Sequence, residues 1–207
     1  MVATQRKTQS REASSTADDP IALFQTWLQQ AVASGIEEPT AMTVPTVDPD
    51  GYPDARLLLL KGVEERGFVF FTNMESPKAQ SLLRDPRIAL CFYWMRLDKQ
   101  VRVRGHAEVV SDEEADAYFA TRPRLSQISA WASKQSQPIE GYFELEAELA
   151  KAALRFGIGK IPRPPFWSGF RVVPERVEFW TGKPFRRHHR IVYDRAPDGW
   201  RKQWLYP

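Results

Sequence analysis

The densest run of chemically capable side chains is Glu178-Phe179-Trp180-Thr181-Gly182-Lys183-Pro184-Phe185-Arg186-Arg187-His188-His189-Arg190. It opens as an apolar strand with an aromatic end, turns at Gly182 and Pro184, and continues as a cationic segment. In an extended chain, successive side chains point to opposite faces. Arg186, His188 and Arg190 then share one face, and Arg187 and His189 take the other. Arginine offers a planar fork to phosphate oxygens. Histidine donates or shuttles a proton near neutral pH, and Trp180 supplies an apolar wall. The combination suits a phosphorylated ligand with a flat ring. It equally suits a solvated basic edge strand, a common safeguard against sheet-edge aggregation.

The elements that must position this stretch follow from punctuation and periodicity. Residues 1–19 are polar and read as a mobile tail. Asp18 or Asp19 before Pro20 starts a helix, and Ile21, Phe24, Trp27, Leu28 and Ala31 give it an apolar face up to Gly35. Ala41–Val47 reads as a strand and Asp48-Pro49-Asp50-Gly51 as a turn. Ala55–Lys61 and Phe68–Asn73 read as two strands of one antiparallel hairpin. Ser76 caps a short helix with Pro77 at its first position. Arg87–Trp94 and Gln100–Val110 are further strands. Ser111-Asp112-Glu113-Glu114 is a capping box that opens a helix to Thr121. Helices over 126–133 and 139–156 complete a helical insertion at about 111–160. Strands at 169–180, 190–195 and 200–206 close the chain. Many short antiparallel strands interrupted by helices predict an α+β fold with a small barrel, and residues 20–207 read as one domain.

Composition narrows the chemistry. The 207 residues are 43% hydrophobic with a net charge of +3, enough for a core and mildly attractive to anions. The single cysteine, Cys91, forbids an internal disulfide and fits a reducing cytoplasm. No apolar run is long enough to span a bilayer, and residues 1–19 lack an apolar signal core. Gly157-Ile158-Gly159-Lys160 lacks the spacing of a phosphate loop and reads as a helix stop. Three histidines without a helical pair argue against a metal site. No serine sits in a nucleophile elbow. The arginines are scattered and carry no nucleic-acid-binding signature.

From Pro20 to Pro207 the chain resembles the pyridoxamine 5′-phosphate oxidase family. The resemblance is carried by Glu38–Met42, Arg56-Leu-Leu-Leu-Leu-Lys61, Phe70-Phe-Thr-Asn73, Gln100-Val101 and Tyr118–Ile128. It continues through Ala130–Ser136, Pro162–Trp167, Gly169–Val172, Glu178–Trp180 and Arg186-x-His188-x-Arg190. It implies an FMN-binding split β-barrel that works as a homodimer, with FMN at the subunit interface. It implies oxidation of pyridoxamine or pyridoxine 5′-phosphate to pyridoxal 5′-phosphate, with oxygen as acceptor and hydrogen peroxide as product. Redox chemistry then belongs to the cofactor, and the protein supplies orientation and electrostatics.

By the same resemblance, FMN would be held by Arg56, Leu57, Leu58, Leu59, Leu60, Lys61, Phe71, Thr72, Lys78, Gln100, Gln135, Ser136, Trp180 and Arg190. The substrate would meet Lys61, Tyr118, Arg122, Ser126, Arg186 and His188, the last two beside the reacting ring as the catalytic pair. Tyr118 and Arg122 stand four apart, on one helical face. Arg56 and Lys61 stand five apart, so an ideal strand separates them unless it bends near Gly62.

Three positions depart from the family pattern. Pro77 stands where an arginine is usual, with Arg84 or Arg87 as candidate substitutes. His189 stands where an acid is common. The tail before Pro20 lacks an Arg and Tyr pair found in some members. Three alternatives stay open. One is a relative that aromatises a secondary-metabolite ring, as phenazine-type members do. Another is a flavin- or pyridoxal phosphate-binding protein without turnover, and the last is a basic nucleic-acid binder.

Overall fold

The computed structural model describes residues 18–207; of the expected tail, residues 1–17 lie outside the described residues. Helix α1 (Pro20–Ala33) is capped by Asp19, whose carboxylate accepts a 2.9 Å hydrogen bond from the Ile21 N–H. Capping satisfies one of the free amides at the helix start. Its inner face buries Ile21, Phe24 and Ala31. The Phe24 ring meets Phe68 and Phe92 edge-on, at 4.9 and 4.8 Å.

The sheet comprises β1 (Ala41–Val47), β2 (Pro53–Leu59), β3 (Gly62–Glu64), β4 (Gly67–Asn73), β5 (Arg87–Trp94), β6 (Lys99–Val109), β7 (Trp167–Thr181), β8 (His189–Ala196) and β9 (Gly199–Leu205). Its path is β2-β1-β5-β6-β7-β4-β3, with β8 on β7 and β9 on β8. The ladders are antiparallel, and the sheet curls into a split barrel. Alternation sorts the faces: Val101 and Val103 of β6 are buried while Arg102 and Arg104 are exposed. Met42, Phe68, Phe70, Phe92, Trp94, Phe170 and Phe179 fill the barrel.

Helix α2 (Pro77–Arg84) joins β4 to β5, and α3 (Asp112–Thr121), α4 (Arg124–Ala132) and α5 (Tyr142–Phe156) lie between β6 and β7. Ser111 caps α3 by accepting from the Glu114 N–H at 3.2 Å. A second core of Phe119, Ile128, Ala152, Ile161 and Trp167 sits under these helices. Arg163 fastens the proline-rich connector. It donates to Asp112, Asp116 and the Trp167 carbonyl. Among the described residues no helix is long and apolar enough to cross a membrane.

Two expectations fail. The 55–61 strand does not pair with β4. As β2 it pairs with β1, Met42 opposite Leu58, while β4 pairs with β3 and β7. The chain changes partners between two residues: the Leu60 N–H donates to Thr40 and the Lys61 N–H to Val69. Leu60, 4% exposed, anchors the crossing in the core. The run from Arg186 to Arg190 is also not extended. Pro184–Arg186 forms a 3₁₀ turn, Phe185 and Arg186 both have φ of 59°, and β8 begins only at His189. Strand alternation therefore does not place Arg186 and His188 on a common face with Arg190.

Candidate active site

The site residues fall into two groups on different parts of the barrel. The first surrounds the end of β4. Lys78 is buried on α2, and its Nζ donates to Thr72 Oγ1 at 3.1 Å and Ser76 Oγ at 3.0 Å. Ser76 precedes α2 but its side chain does not cap the helix; its hydroxyl donates to the Asn73 carbonyl at 2.7 Å. Burial, and then the charge of Arg56, lower the Lys78 pKa from 10.5 to about 8. A buried ammonium held only by hydroxyls, with a second cation near, is costly unless an anion joins it.

Arg56 lies on β2. Its Nη1 donates to the Val44 carbonyl and Thr46 Oγ1, and its Nη2 pairs with Asp54. Leu58 shares its face by alternation. Leu57 and Leu59 take the opposite, exposed face. The partner change at Leu60 supplies the bend that Arg56 and Lys61 require. Even so, Lys61 lines a separate cleft of about 460 Å³, beside Gln25 and Leu28 of α1. Neither proposed substitute for the missing arginine at Pro77 turns to Lys78. Arg84 donates to the Val47 and Asp48 carbonyls, and Arg87 pairs with Asp85.

Beside Lys78 a cleft of about 260 Å³ is lined by Leu58, Phe71, Thr72, Arg122, Gln135 and Trp167, among others. Its wall is flat. The Phe71 ring stacks on Tyr118 at 4.0 Å and 5°, and on Trp167 at 5.2 Å and 2°. Gly169 permits this: a Cβ there would lie 2.6 Å from Phe71 Cδ1 and 2.7 Å from the Phe70 carbonyl oxygen.

Arg122 follows the last turn of α3 with φ −69° and ψ 146°, which bends it off the helix line. Its guanidinium carbon stands 4.9 Å from the Trp167 ring centre. Its Nη1 is buried without a hydrogen-bond partner among the described residues. Burial lowers the Arg122 pKa and raises that of Tyr118, each opposed by the other's charge. Ser126 is half-buried on α4. Ser136, at φ 69°, lines a different cleft with Ile139 and Glu144.

The second group lies at the far end of β7. Gln100, Trp180 and Arg190 are register partners across β6, β7 and β8, so they share one face. The His188 ring lies 4.8 Å from Trp180, and its Nδ1 accepts from the Lys183 N–H at 3.1 Å. Arg186 is exposed on the left-handed turn. Trp167 and Trp180 are 13 residues apart on one strand, about 40 Å of extended chain. Among the described residues no hydrogen bond, ion pair or ring contact joins the two groups.

Residues 28–156 match the family described as pyridoxamine 5′-phosphate oxidase, and residues 167–207 match the pyridoxine 5′-phosphate oxidase C-terminal dimerisation region. The chain belongs to the pyridoxamine 5′-phosphate oxidase family. It is 56% identical over 193 residues to a pyridoxine/pyridoxamine 5′-phosphate oxidase of Azorhizobium caulinodans, covering 92% of this chain and 91% of that one. An Agrobacterium fabrum protein of the same name is 54% identical over 192 residues, covering 92% and 93%. Among solved structures, PhzG of Burkholderia lata in complex with tetrahydrophenazine-1-carboxylic acid superposes with a TM-score of 0.87. It is 29% identical, covering 92% of this chain and 93% of that one. A pyridoxamine 5′-phosphate oxidase-related, FMN-binding protein of Nostoc punctiforme shares the fold, with a TM-score of 0.73 and 18% identity over 91% and 98% of the chains.

Lys78, Phe71 and Arg122 of the first group lie in the oxidase match, while Trp180, His188 and Arg190 of the second lie in the dimerisation match; Trp167 and Gln100 cross that division. As a member of this oxidase family the chain pairs as a homodimer, and pairing can bring one subunit's second group to the other's cleft. Trp167 is the residue the sequence reading left without a role. It sits in the quoted Pro162–Trp167 motif, but its place against Phe71 and Arg122 depends on how β7 pairs with β4.

Proposed function

We infer that the protein is an FMN-dependent oxidase that converts pyridoxamine or pyridoxine 5′-phosphate to pyridoxal 5′-phosphate, with oxygen as acceptor and hydrogen peroxide as product. One observation carries this reading. The buried Nη1 of Arg122 has no partner among the described residues and stands at a flat-walled aromatic cleft. A phosphate monoester on an aromatic ring would supply both the missing acceptor and the stacking surface.

The donor set around Lys78 fits FMN. Lys78, Arg56 and Thr72 offer two charges and one hydroxyl to a dianionic phosphate, and Ser76, whose own proton is spent on the Asn73 carbonyl, holds Lys78 in place. Phe71, the Leu57–Leu60 backbone and Gln135, with Gln100, Trp180 and Arg190 of the other subunit, would meet the ring system, and Ser136 completes the proposed set. FMN supplies the two-electron redox chemistry. Tyr118, Arg122 and Ser126 bind and orient the substrate phosphate, and Lys61, which lines the cleft beside α1, completes the proposed substrate set from there. Arg186 and His188 cover its ring. Because Nδ1 of neutral His188 accepts from Lys183, the proton sits on Nε2, and Nε2–H is the group free to donate. The single cysteine is a free thiol, in keeping with a cytoplasmic place of work.

The likeness to PhzG favours a second reading, an oxidase of a carboxylated ring. One experiment separates the two. FMN-saturated protein is mixed without oxygen with pyridoxamine 5′-phosphate while the visible spectrum is followed. Bleaching reversed by air is expected. A band that persists would overturn the vitamin B6 reading and leave a ring-oxidising relative or a carrier.

A further inference from the structure

Glu178 lies on β7 two residues before Trp180, with a side chain only 6% exposed. Both of its oxygens are used. Oε1 accepts from Arg190 Nε at 2.9 Å and lies 2.8 Å from Nη2 in the same ion pair, and Oε2 accepts from Arg102 Nη2 at 2.7 Å. Arg190 is held from a third direction, since its Nη1 donates to the Tyr206 carbonyl at 2.9 Å. A guanidinium has five N–H donors. Nε–H and one Nη1–H are engaged in hydrogen bonds, and Nη2 is held at ion-pair distance from Oε1. The fork is therefore aimed before any ligand arrives, which is how an arginine gains most from its planar geometry.

We propose that Glu178 is the positioning residue of Arg190, and that its carboxylate sets the reduction potential of bound FMN by offsetting that guanidinium's charge. The proposal rests on the reading that Arg190 faces FMN. A reduced flavin that carries negative charge gains from a bare cation nearby, and an oxidised one does not. A buried carboxylate on Arg190 weakens that preference and holds the potential down. Removing one partner of a buried ion pair leaves the other uncompensated, and here that partner is the cation that faces the flavin. The competing role is a purely mechanical one. Arg102, Glu178 and Arg190 stand on β6, β7 and β8, so the triad also staples three strands. A staple alone would lower the melting temperature and leave the potential unmoved.

The test compares wild type, Glu178→Gln, Glu178→Asp and Arg190→Lys as holoenzymes. The midpoint potential is read by equilibration with a redox dye. FMN affinity is read by fluorescence quenching on cofactor-stripped protein. Glu178→Gln keeps the shape and loses the charge. It is expected to favour reduced over oxidised FMN about tenfold more than wild type does, a positive shift of about 30 mV for a two-electron couple. Glu178→Asp keeps the charge and loses reach, so FMN should bind several-fold more weakly while the potential stays near wild type. This second variant also carries the test if the glutamine protein does not fold, because Asp binding FMN like wild type would overturn the positioning role. A wild-type potential in Glu178→Gln, with FMN affinity still altered by Arg190→Lys, would sink the proposal alone. Wild-type FMN affinity in Arg190→Lys would remove the reading beneath it, and the proposal with it.

Discussion

Arg122 stands over Trp167, guanidinium carbon 4.9 Å from the ring centre, with Nη1 buried and unpartnered among the described residues. The ring takes one face of the cation and leaves the N–H edges for an anion. Arg122→Ala should raise the KM for pyridoxamine 5′-phosphate by about 30- to 150-fold, the worth of about 2–3 kcal/mol in charged hydrogen bonds. FMN should stay bound, because the cofactor phosphate is assigned to Lys78. Steady-state kinetics beside a flavin absorbance ratio would check both halves, and release of FMN by this variant would show the two sets wrongly divided.

Lys78 makes cofactor binding sensitive to pH. Its folded pKa is about 8 against an ordinary 10.5. Between those values the unfolded chain keeps a proton that the folded chain has lost. The Lys78 contribution to the stability of cofactor-free protein therefore rises with pH across that window, and its full penalty applies below about 8. A phosphate dianion favours the charged lysine, so FMN binding near pH 8–9 should take up a proton. Calorimetry in two buffers of different ionisation enthalpy would measure it. Equal heats in both buffers would place the phosphate elsewhere.

His188 accepts from the Lys183 amide through Nδ1, which leaves Nε2–H as its donor. His188→Ala should lower kcat by about 10²-fold, the low end for a positioned proton donor, with little change in FMN content. An unchanged kcat would return His188 to the role of loop anchor.

Gly169→Ala tests the flat wall. Its methyl would meet Phe71 Cδ1 at 2.6 Å and the Phe70 carbonyl at 2.7 Å. Such overpacking costs about 1–3 kcal/mol, a loss of several degrees in Tm for a chain of this size. Adding Phe71→Leu should restore part of the Tm but not the substrate affinity. A single mutant that melts like wild type would show that the wall can shift freely.

Much of this architecture was legible in the chain. Asp19-Pro20 and the Ser111 capping box mark helix starts because capping is a local interaction between neighbours. Val101 and Val103 mark an inner face because strand alternation is local as well. The partner change at Leu60 was not legible, since Thr40 and Val69, which accept from consecutive amides, are distant in sequence. That contact turned an expected hairpin into two strands on opposite sides of the barrel path. The segment at Arg186 was misread because alternation assumes an extended backbone, and Phe185 and Arg186 are left-handed. The family pattern named Arg122 and Lys78. It could not tell that one holds an unpartnered nitrogen and the other only hydroxyls, because burial is a property of packing.

Strand β7 carries Trp167 at one end and Trp180 at the other, and this has a genetic consequence. Each cleft in the dimer would draw its phosphate clamp from one subunit and its His188 from the other. On that reading, a subunit spoiled at Arg122 and a subunit spoiled at His188 would each be impaired with their own kind. Paired together, they concentrate both defects in one cleft and leave the second whole. Two defective alleles in one cell should therefore complement each other, where a site built within a single subunit would allow no such rescue.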